Sequence, residues 1–415
     1  MKRSLWKLLM ALLALTLVAG ACGNDDSDAG TTPTIDQSSD GDDAGDGSGT
    51  DSDDTDAGDG EDHSDADHDD GSDADHDDSD GTATSVVNTG SDITIGYLQW
   101  IYADEAGKRI EDAAKEAVDF FGWNYETCDA AGDPAQMPVC GNLLLDKGID
   151  VMLTDGIPEA FITDVLERAA EEDVPVLSAG GEVEPRDHYV ASFASDDTDL
   201  GVQLAEYLVD QFPDGARIIV QTVPTAWSDK RINGLNSVIA GTNIEIVDQW
   251  EADMADLVAG TEADVTTKIQ QFDDIDAIWI NFSVASIGAA QAIGALYEAD
   301  DPERPQILTF YANPGTVGDI RTGRVDAAVD EKLEWQSWAQ VDAVAAWLEN
   351  GTMPSQERAP TYDGRNFSVR QVVTIETVNA MDPESTEVPA PDPPGDYEEY
   401  FRNKWCEEYD GLPNC

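Results

Sequence analysis

The sequence predicts an α/β protein with two doubly wound lobes, each built on a parallel sheet. From Ser91 onward, short apolar runs alternate with stretches of helical periodicity, which is the pattern of parallel strands joined by helices. About nine or ten such strand–helix units occur, and these are too many for one doubly wound sheet. The chain has 415 residues, of which 41% are hydrophobic, so it is long enough for two packed cores.

The first part of this region predicts five strands and three helices. Ile110, Ala114 and Val118 share one face of an amphipathic helix, and Pro158 suits the first turn of another. The strands are expected at 93–98, 124–128, 151–154, 174–178 and 189–193, and the helices at 106–121, before Lys147 and at 158–172.

The second part continues the alternation and then changes character. Its strands are expected at 217–223, 244–249, 277–281, 307–311 and 325–329, and its helices at 198–211, 227–240, 259–272, 285–299 and before Gly323. A helix at 335–350, a strand at 367–376, a proline-rich linker at 380–395 and an aromatic, charged tail at 396–415 follow. We expect the tail to dock onto a lobe through Tyr400, Phe401 and Trp405.

Residues 1–21 have the pattern of a lipoprotein signal peptide. Lys2, Arg3 and Lys7 precede an apolar run at 8–18, which is too short to span a bilayer core of about 30 Å. Small residues then lead directly to Cys22, so cleavage before Cys22 and lipidation of its sulfur are expected. An ordinary signal peptide followed by a chance cysteine is the alternative. Either reading places the rest of the chain outside the cytoplasm.

Residues 22–90 form an acidic, low-complexity segment that we expect to be a disordered tether. Residues 23–82 hold 24 of the 87 Asp and Glu residues and no Lys or Arg, with almost nothing apolar to bury. The histidines of its repeat, His68 and His76, also permit a weak cation site, although a self-repelling spacer explains the repeat as well. Most of the net charge of −65 remains in the folded part, which argues against nucleic acid and anionic membranes as partners. It also predicts a protein adapted to salt.

Four cysteines remain if Cys22 carries lipid. An even number in an exported chain favours disulfides, and three pairings are possible. The short loops favour Cys128 with Cys140 and Cys406 with Cys415. The sequence contains no paired-cysteine metal motif, so no metal site is expected.

The chain shows no motif of a catalytic or cofactor site. A nucleophile elbow, a zinc-protease helix, a phosphate-binding loop and a dinucleotide fingerprint are all missing from the sequence. His188 is the one histidine outside the tether, and nothing around it suggests a triad. We therefore expect neither an enzyme nor a cofactor.

Several segments resemble the ribose-type, class I solute-binding proteins of ABC importers. They are 93–98, 132–134, 147–152, 169–176, 191–197 and 310–315. The resemblance extends over about 91–376 and keeps the order of the elements. It implies two lobes joined by a three-strand hinge, with a ligand in the cleft, a monomeric protein and an ABC permease as membrane partner.

The resemblance also implies domain boundaries. The first lobe would comprise 91–194 plus 333–362 and the second 195–332 plus 363–378, with crossings near Ser195, near Glu331 and between Thr361 and Ser368. Residues 379–415 would form the linker and the disulfide-closed tail.

Candidate ligand-binding residues lie at strand ends and in the hinge, because ligands of open parallel sheets bind outside the carboxyl ends of the strands. Sugar recognition needs aromatic faces and paired hydrogen-bonding groups. Arg231 matches a sugar-binding arginine of the family, with a surface salt bridge as the alternative; Glu331 stands where the family commonly has glutamine. The candidates are Trp100, Tyr102, Arg231, Asn281, Phe282, Tyr311, Glu331 and Trp335.

Three positions depart from the family pattern. Gly180 and Gly181 stand where the family has an Asp–Arg pair, Tyr311 stands where it has Asp, and Glu105-Ala106 replaces paired aromatic residues. The expected ligand is thus a small polar molecule, most of all a sugar or polyol, and the three departures weigh against a simple pentose or hexose.

The expected function is that of a lipid-anchored solute-binding protein. A sensory receptor of the same fold, which signals to a membrane partner, remains an alternative. A surface enzyme such as a glycosidase is a weaker one, because it requires two carboxylates about 5 to 10 Å apart in the cleft.

Overall fold

The computed structural model describes residues 92–183, 188–351, 361–362, 365–366, 370–388 and 397–415. The predicted signal peptide, Cys22 and the tether lie outside these residues, as does most of the segment predicted to cross between the lobes near Thr361 to Ser368.

The first lobe is built on a five-stranded parallel sheet in the order β2-β1-β3-β4-β5. Its strands and helices lie within a few residues of their predicted positions. The strands are β1 (Thr94–Gln99), β2 (Asn124–Asp129), β3 (Val151–Thr154), β4 (Val176–Ala179) and β5 (Ala191–Phe193). The helices are α1 (Glu105–Phe121), α2 (Met137–Asp146) and α3 (Glu159–Glu171).

The second lobe is built on a six-stranded sheet in the order β13-β10-β9-β8-β6-β7. Its strands are β6 (Ala216–Thr222), β7 (Ile244–Glu251), β8 (Ala277–Ile280), β9 (Gln306–Phe310), β10 (Ala327–Glu331) and β13 (Arg370–Thr374). Its helices are α4 (Asp197–Gln211), α5 (Ala226–Ile239), α6 (Leu257–Gln271), α7 (Ser283–Leu296) and α8 (Pro314–Arg321). A two-residue hairpin pairs β11 (Thr361–Tyr362) with β12 (Arg365–Asn366).

The sheet of the second lobe is not wholly parallel. β13 runs antiparallel to β10, with Ala327 opposite Thr374 and Glu331 opposite Arg370. An edge strand of this kind needs no crossover helix. The predicted strand at 367–376 is also too long, because a helix, α10 (Ile375–Ala380), begins where the Thr374 side chain caps its first turn.

The helix α9 (Leu333–Asn350) follows β10 but packs on the first lobe. Ser337 Oγ donates to the carbonyl of Ile110, 2.9 Å away, and Gln340 Nε2 to that of Leu177, 2.8 Å away. The chain therefore leaves the second lobe between Glu331 and the start of α9.

The last helix, α11 (Tyr397–Glu408), packs on the first lobe beside α9. Trp405 stacks on Trp338 with ring centroids 5.1 Å apart, and its Nε1 donates to Asp342 Oδ1. Phe401 and Trp405 are buried and Tyr400 is partly buried, so all three residues expected to dock the tail contribute to the packing.

Two disulfides are present. Cys128 is bonded to Cys140, with Cα atoms 5.4 Å apart, and Cys406 to Cys415, with Cα atoms 5.6 Å apart. The first links β2 to α2, and the second closes the end of α11 onto the last residue. None of the helices within the described ranges has the length and apolar character that crossing a membrane requires.

Candidate functional site

A cavity lies where the carboxyl ends of strands from both sheets face each other. Its volume is about 40 Å³. Trp100 directly follows β1 and Asp155 follows β3 in the first lobe, while Phe282 and Tyr311 follow β8 and β9 in the second. The lining residues are Trp100, Ile101, Asp104, Ala106, Gly107, Ile110, Asp155, Gly181, Trp227, Arg231, Phe282 and Tyr311.

One wall of the cavity consists of aromatic rings from both lobes. The ring of Trp100 lies 6.4 Å from that of Trp227 and 6.2 Å from that of Phe282, and the latter two are 5.8 Å apart. Phe161 packs behind Trp100 at 6.1 Å. Because Trp100 belongs to the first lobe and Trp227 and Phe282 to the second, the rings join the lobes at the cavity.

Arg231 lies in the wall, on the second turn of α5, and its side chain is only 1% exposed. Its Nε donates to Asp197 Oδ1 at 2.8 Å, its Nη1 to the carbonyl of Asn281 at 3.0 Å and its Nη2 to the hydroxyl of Tyr311 at 2.5 Å. The guanidinium also lies over the ring of Trp227, 4.6 Å from the centroid. These contacts fix the group rigidly at the edge of the cavity.

Tyr311 adopts a left-handed backbone conformation, with φ of 63°. Its amide donates to the carbonyl of Val329, 2.7 Å away, which holds the residue at the end of β9. Such a conformation is unfavourable for a bulky residue and is concentrated at functional sites.

Two buried carboxylates approach the cavity from the first lobe. Asp104 caps α1: its Oδ2 accepts from the Gly107 amide at 3.4 Å and its Oδ1 from Ser283 Oγ of the second lobe at 3.1 Å. Asp155 Oδ1 accepts from the Trp100 amide at 2.9 Å. Burial raises the pKa of Asp104 to about 6 and raises that of Asp155 well above its ordinary value.

Further contacts join the lobes beside the cavity. Arg109 of α1 donates to Asn313 Oδ1 at 3.0 Å while its Nε holds Glu334 at 2.7 Å. The Gly315 amide, at the start of α8, donates to Glu105 Oε2 at 2.7 Å. The described structure is therefore one in which the two lobes meet around the cavity.

The hinge contains a buried polar network. Gln336 Nε2 donates to Glu331 Oε2 at 2.9 Å, and Gln336 Oε1 accepts from the Gly180 amide at 3.0 Å. Burial, together with the negative charge of Asp197, raises the pKa of Glu331 to about 7.

Four of the eight predicted ligand-binding residues line the cavity: Trp100, Arg231, Phe282 and Tyr311. The other four are not among its lining residues. The Asn281 amide bonds instead to Ser228 Oγ at 2.7 Å, and Glu331 belongs to the hinge network. Tyr102 is 37% exposed and bonds to Asp112. Trp335 is buried against the ring of Tyr397, because its face of α9 points to the tail helix.

Eight lining residues were not among the predicted ligand-binding residues, and the aromatic and acidic ones among them are Trp227, Asp104 and Asp155. Asp155 directly follows a predicted strand, which is a usable signal, but it does not stand out in a chain with 87 acidic residues. Within the described ranges, no three His, Cys, Asp or Glu side chains are grouped closely enough to hold a metal ion.

A family model described as "Periplasmic binding protein domain" matches residues 93–352. Among curated proteins, the ribose import binding protein RbsB of Bacillus subtilis (strain 168) is 24% identical over 229 residues, covering 55% of this chain and 71% of that protein. The protein of the same name from Salmonella typhimurium is 20% identical over 223 residues, covering 53% and 73% respectively.

Solved structures share the fold. A 5-methylthioribose transporter solute binding protein from Thermotoga lettingae superimposes with a TM-score of 0.63 at 16% identity, covering 77% of this chain and 99% of that one. An ABC transporter solute binding protein from Bacillus halodurans, with bound myo-inositol, gives 0.60 at 18% identity, covering 70% and 97%.

Proposed function

Because the chain belongs to the periplasmic binding protein domain family, which consists of solute-binding proteins rather than enzymes, we propose that it captures a small polar ligand outside the cytoplasm. The ligand is a sugar or polyol, and the protein delivers it to an ABC permease. The observation that carries the proposal is the cavity lined from both lobes at the carboxyl ends of their strands.

The chemistry of the lining suits such a ligand. The rings of Trp100, Trp227 and Phe282 offer apolar faces for the C–H surface of a sugar. Asp104 and Asp155 offer acceptors for hydroxyl groups. The indole Nε1 of Trp100 is buried and has no partner in the described part of the chain, so it is available as a donor.

The two-lobed arrangement supports transport. A ligand that contacts Trp100 in one lobe and Trp227 in the other binds both only when the lobes meet, so it stabilises that state by its differential affinity. A permease can distinguish the liganded protein by this geometry. The ligands named for the relatives, ribose, 5-methylthioribose and myo-inositol, are all small polyhydroxylated molecules.

The location of the protein is part of the proposal. The sequence from Lys2 to Cys22 supports export and a lipid anchor on Cys22, with the acidic segment as a spacer to the membrane. The protein acts as a monomer, with the permease as its membrane partner.

A thermal-shift screen of sugars, polyols, amino acids and nucleosides in high salt tests the function. A ligand at 100 times its Kd raises the free energy of unfolding by about 2.7 kcal/mol. Trp227→Ala should remove the shift and Tyr102→Ala should keep it, since only the first residue lines the cavity. Absence of any shift, together with solution-scattering dimensions that no metabolite changes, would overturn the proposal.

A further inference from the structure

Two buried carboxyl groups, those of Asp104 and Asp155, line the cavity. Asp104 and Asp155 are 4% and 8% exposed, and both carboxylates lie beside Gly107. A Cβ built on Gly107 would be 3.2 Å from Asp155 Oδ2, and the Gly107 amide is 3.4 Å from Asp104 Oδ2. The two groups therefore approach the cavity at one point.

Neither carboxylate has a cationic partner in the described part of the chain. The Ser283 hydroxyl and the amides of Gly107 and Ala106 stabilise the charged form of Asp104, and the Trp100 amide stabilises that of Asp155. The charged groups that act on the two carboxylates, Glu105 and Glu111, are also negative.

Arg231, the one basic residue of the lining, does not neutralise the carboxylates of Asp104 and Asp155. Arg231 is already paired with Asp197 at 2.8 Å, on the opposite side of the cleft. A buried carboxylate without a paired cation is costly, and a pairing cation favours its charged form. The cavity thus has two carboxylates for which the described chain provides no positive charge.

The aromatic wall supplies a second, independent feature that favours a cation. The rings of Trp227 and Tyr311 already lie 4.6 and 5.0 Å from the Arg231 guanidinium carbon. Those faces are occupied by Arg231, whereas the ring of Trp100, which also lines the cavity, has no cation over it among the described residues. Rings around a pocket that also carries carboxylates are a known means of recognising ammonium groups.

We propose that the ligand of this cavity carries an ammonium group, as an amino sugar or amino polyol does, and that Asp104, Asp155 and the ring of Trp100 hold it. This inference rests on the proposed function and narrows its ligand class. The hydroxyl groups of such a ligand remain available to the Trp100 indole and to Arg231.

Binding of an ammonium group is coupled to the protonation state of Asp155. Burial raises the pKa of Asp155, so at a pH below that raised value the group holds a proton before the ligand binds. An ammonium group favours the charged carboxylate, and binding therefore releases a proton to the solvent. A neutral polyol causes no such release.

Matched pairs of compounds test the inference on the mature full-length protein. Glucosamine is compared with glucose, and 1-amino-1-deoxysorbitol with sorbitol, by thermal shift and by calorimetry in two buffers of different ionisation enthalpy. At least one amine should bind at least tenfold more tightly than its neutral partner, with release of protons.

Substitutions test whether Asp104 and Asp155, rather than the overall negative charge of the protein, cause the preference for the amine. Asp155→Asn and Asp104→Asn should each reduce the preference for the amine at least tenfold, and Asp155→Asn should also abolish proton release. Asp119→Asn, at an exposed position of α1, should retain both. The unfolding midpoint of each unliganded variant shows whether the variant folds. The comparison between each amine and its neutral partner on the native protein does not depend on the variants.

The possible results test the ammonium group and the proposed function separately. If neutral compounds bind as well as their amines, or only neutral compounds bind, the claim that the ligand carries an ammonium group is refuted and the proposed function stands. If no compound in these pairs or in the wider screen binds, both are refuted.

Discussion

Arg231 and Asp197 form a buried ion pair, with Nε 2.8 Å from Oδ1. Asp197 is the first residue of α4, and its Oδ2 accepts a hydrogen bond from the Glu182 amide of the first lobe at 3.2 Å. The pair therefore joins the wall of the cavity to the point where the chain passes between the lobes.

The position of this pair predicts a large effect of Arg231→Ala on stability. The substitution leaves a buried carboxylate at Asp197 without its cation, which costs about 3 to 5 kcal/mol in the free energy of unfolding. Urea denaturation at pH 7 measures the loss. As a control, Lys147→Ala removes an exposed ion pair with Glu126 and should cost about 1 kcal/mol or less. If the free energy of unfolding falls no more for Arg231→Ala than for the control, the buried pair does not contribute to stability as expected.

The hinge predicts a dependence of stability on pH. The pKa of Glu331 is about 7 in the folded protein against an ordinary value of 4.5, so the folded state binds a proton that the unfolded chain has released. The free energy of unfolding therefore falls as pH rises from about 4.5 to about 7, by up to about 3 kcal/mol from this group.

Glu331→Gln isolates this contribution, because it keeps an acceptor for Gln336 and removes the titration. The difference in stability between the native protein and the variant, from chemical denaturation at several pH values, should change across the same interval. A difference that is constant with pH would show that Glu331 does not titrate there.

The charge of the chain predicts stabilisation by salt. The net charge is −65, with 87 acidic against 22 basic residues, and self-repulsion destabilises the compact state. Raising NaCl to 1 M shortens the Debye length to about 3 Å. It should raise the unfolding midpoint by at least about 2 to 4 °C, the shift that corresponds to about 1 kcal/mol of added stability. Sucrose at matched osmolality is the control for general exclusion effects. A midpoint that stays constant or falls in NaCl would argue against self-repulsion.

Local periodicity was sufficient to predict most of the fold. The face of α1 that carries Ile110 and Val118 is buried as expected, and the order of strands and helices follows the alternation of patterns. The antiparallel pairing of β13 could not be predicted, because a strand pattern does not specify the direction of its partner. Thr374, which caps α10, is a sequence signal for the start of a helix and so for the end of the strand.

Three of the four correctly predicted lining residues follow strands directly, whereas Arg231, on α5, was predicted from the family resemblance. Trp100, Phe282 and Tyr311 each come at a strand end, and the sheet alone places them at the cavity. Trp335 lies on a helix, and which of its faces meets the cleft depends on how α9 and α11 pack.

Gly181 predicts how the cavity responds to one added carbon. A Cβ at this position would lie 2.9 Å from Cδ1 of Trp227, so Gly181→Ala has to displace the indole. We expect at least tenfold weaker binding of the ligand that the screen identifies, as measured by calorimetry. Gly294→Ala is the control, since nothing lies within 4 Å of its Cβ; it should leave binding unchanged and add up to about 1 kcal/mol of helix stability. Unchanged binding in Gly181→Ala would mean that the position of the indole does not matter.

The tail helix is predicted to be part of the cooperative fold of the first lobe. Trp405 is fully buried, 4.7 Å from the ring of Phe121 and stacked on Trp338. Trp405→Ala should therefore lower the free energy of unfolding by about 3 to 5 kcal/mol, while Asn403→Ala, on the exposed face of the same helix, should change it by no more than about 0.5 kcal/mol. Urea denaturation followed by far-ultraviolet circular dichroism measures both. If Trp405→Ala unfolds at the same urea concentration as the native protein, the helix contributes nothing to the lobe; if it unfolds earlier in one transition, the tail and the lobe fold together.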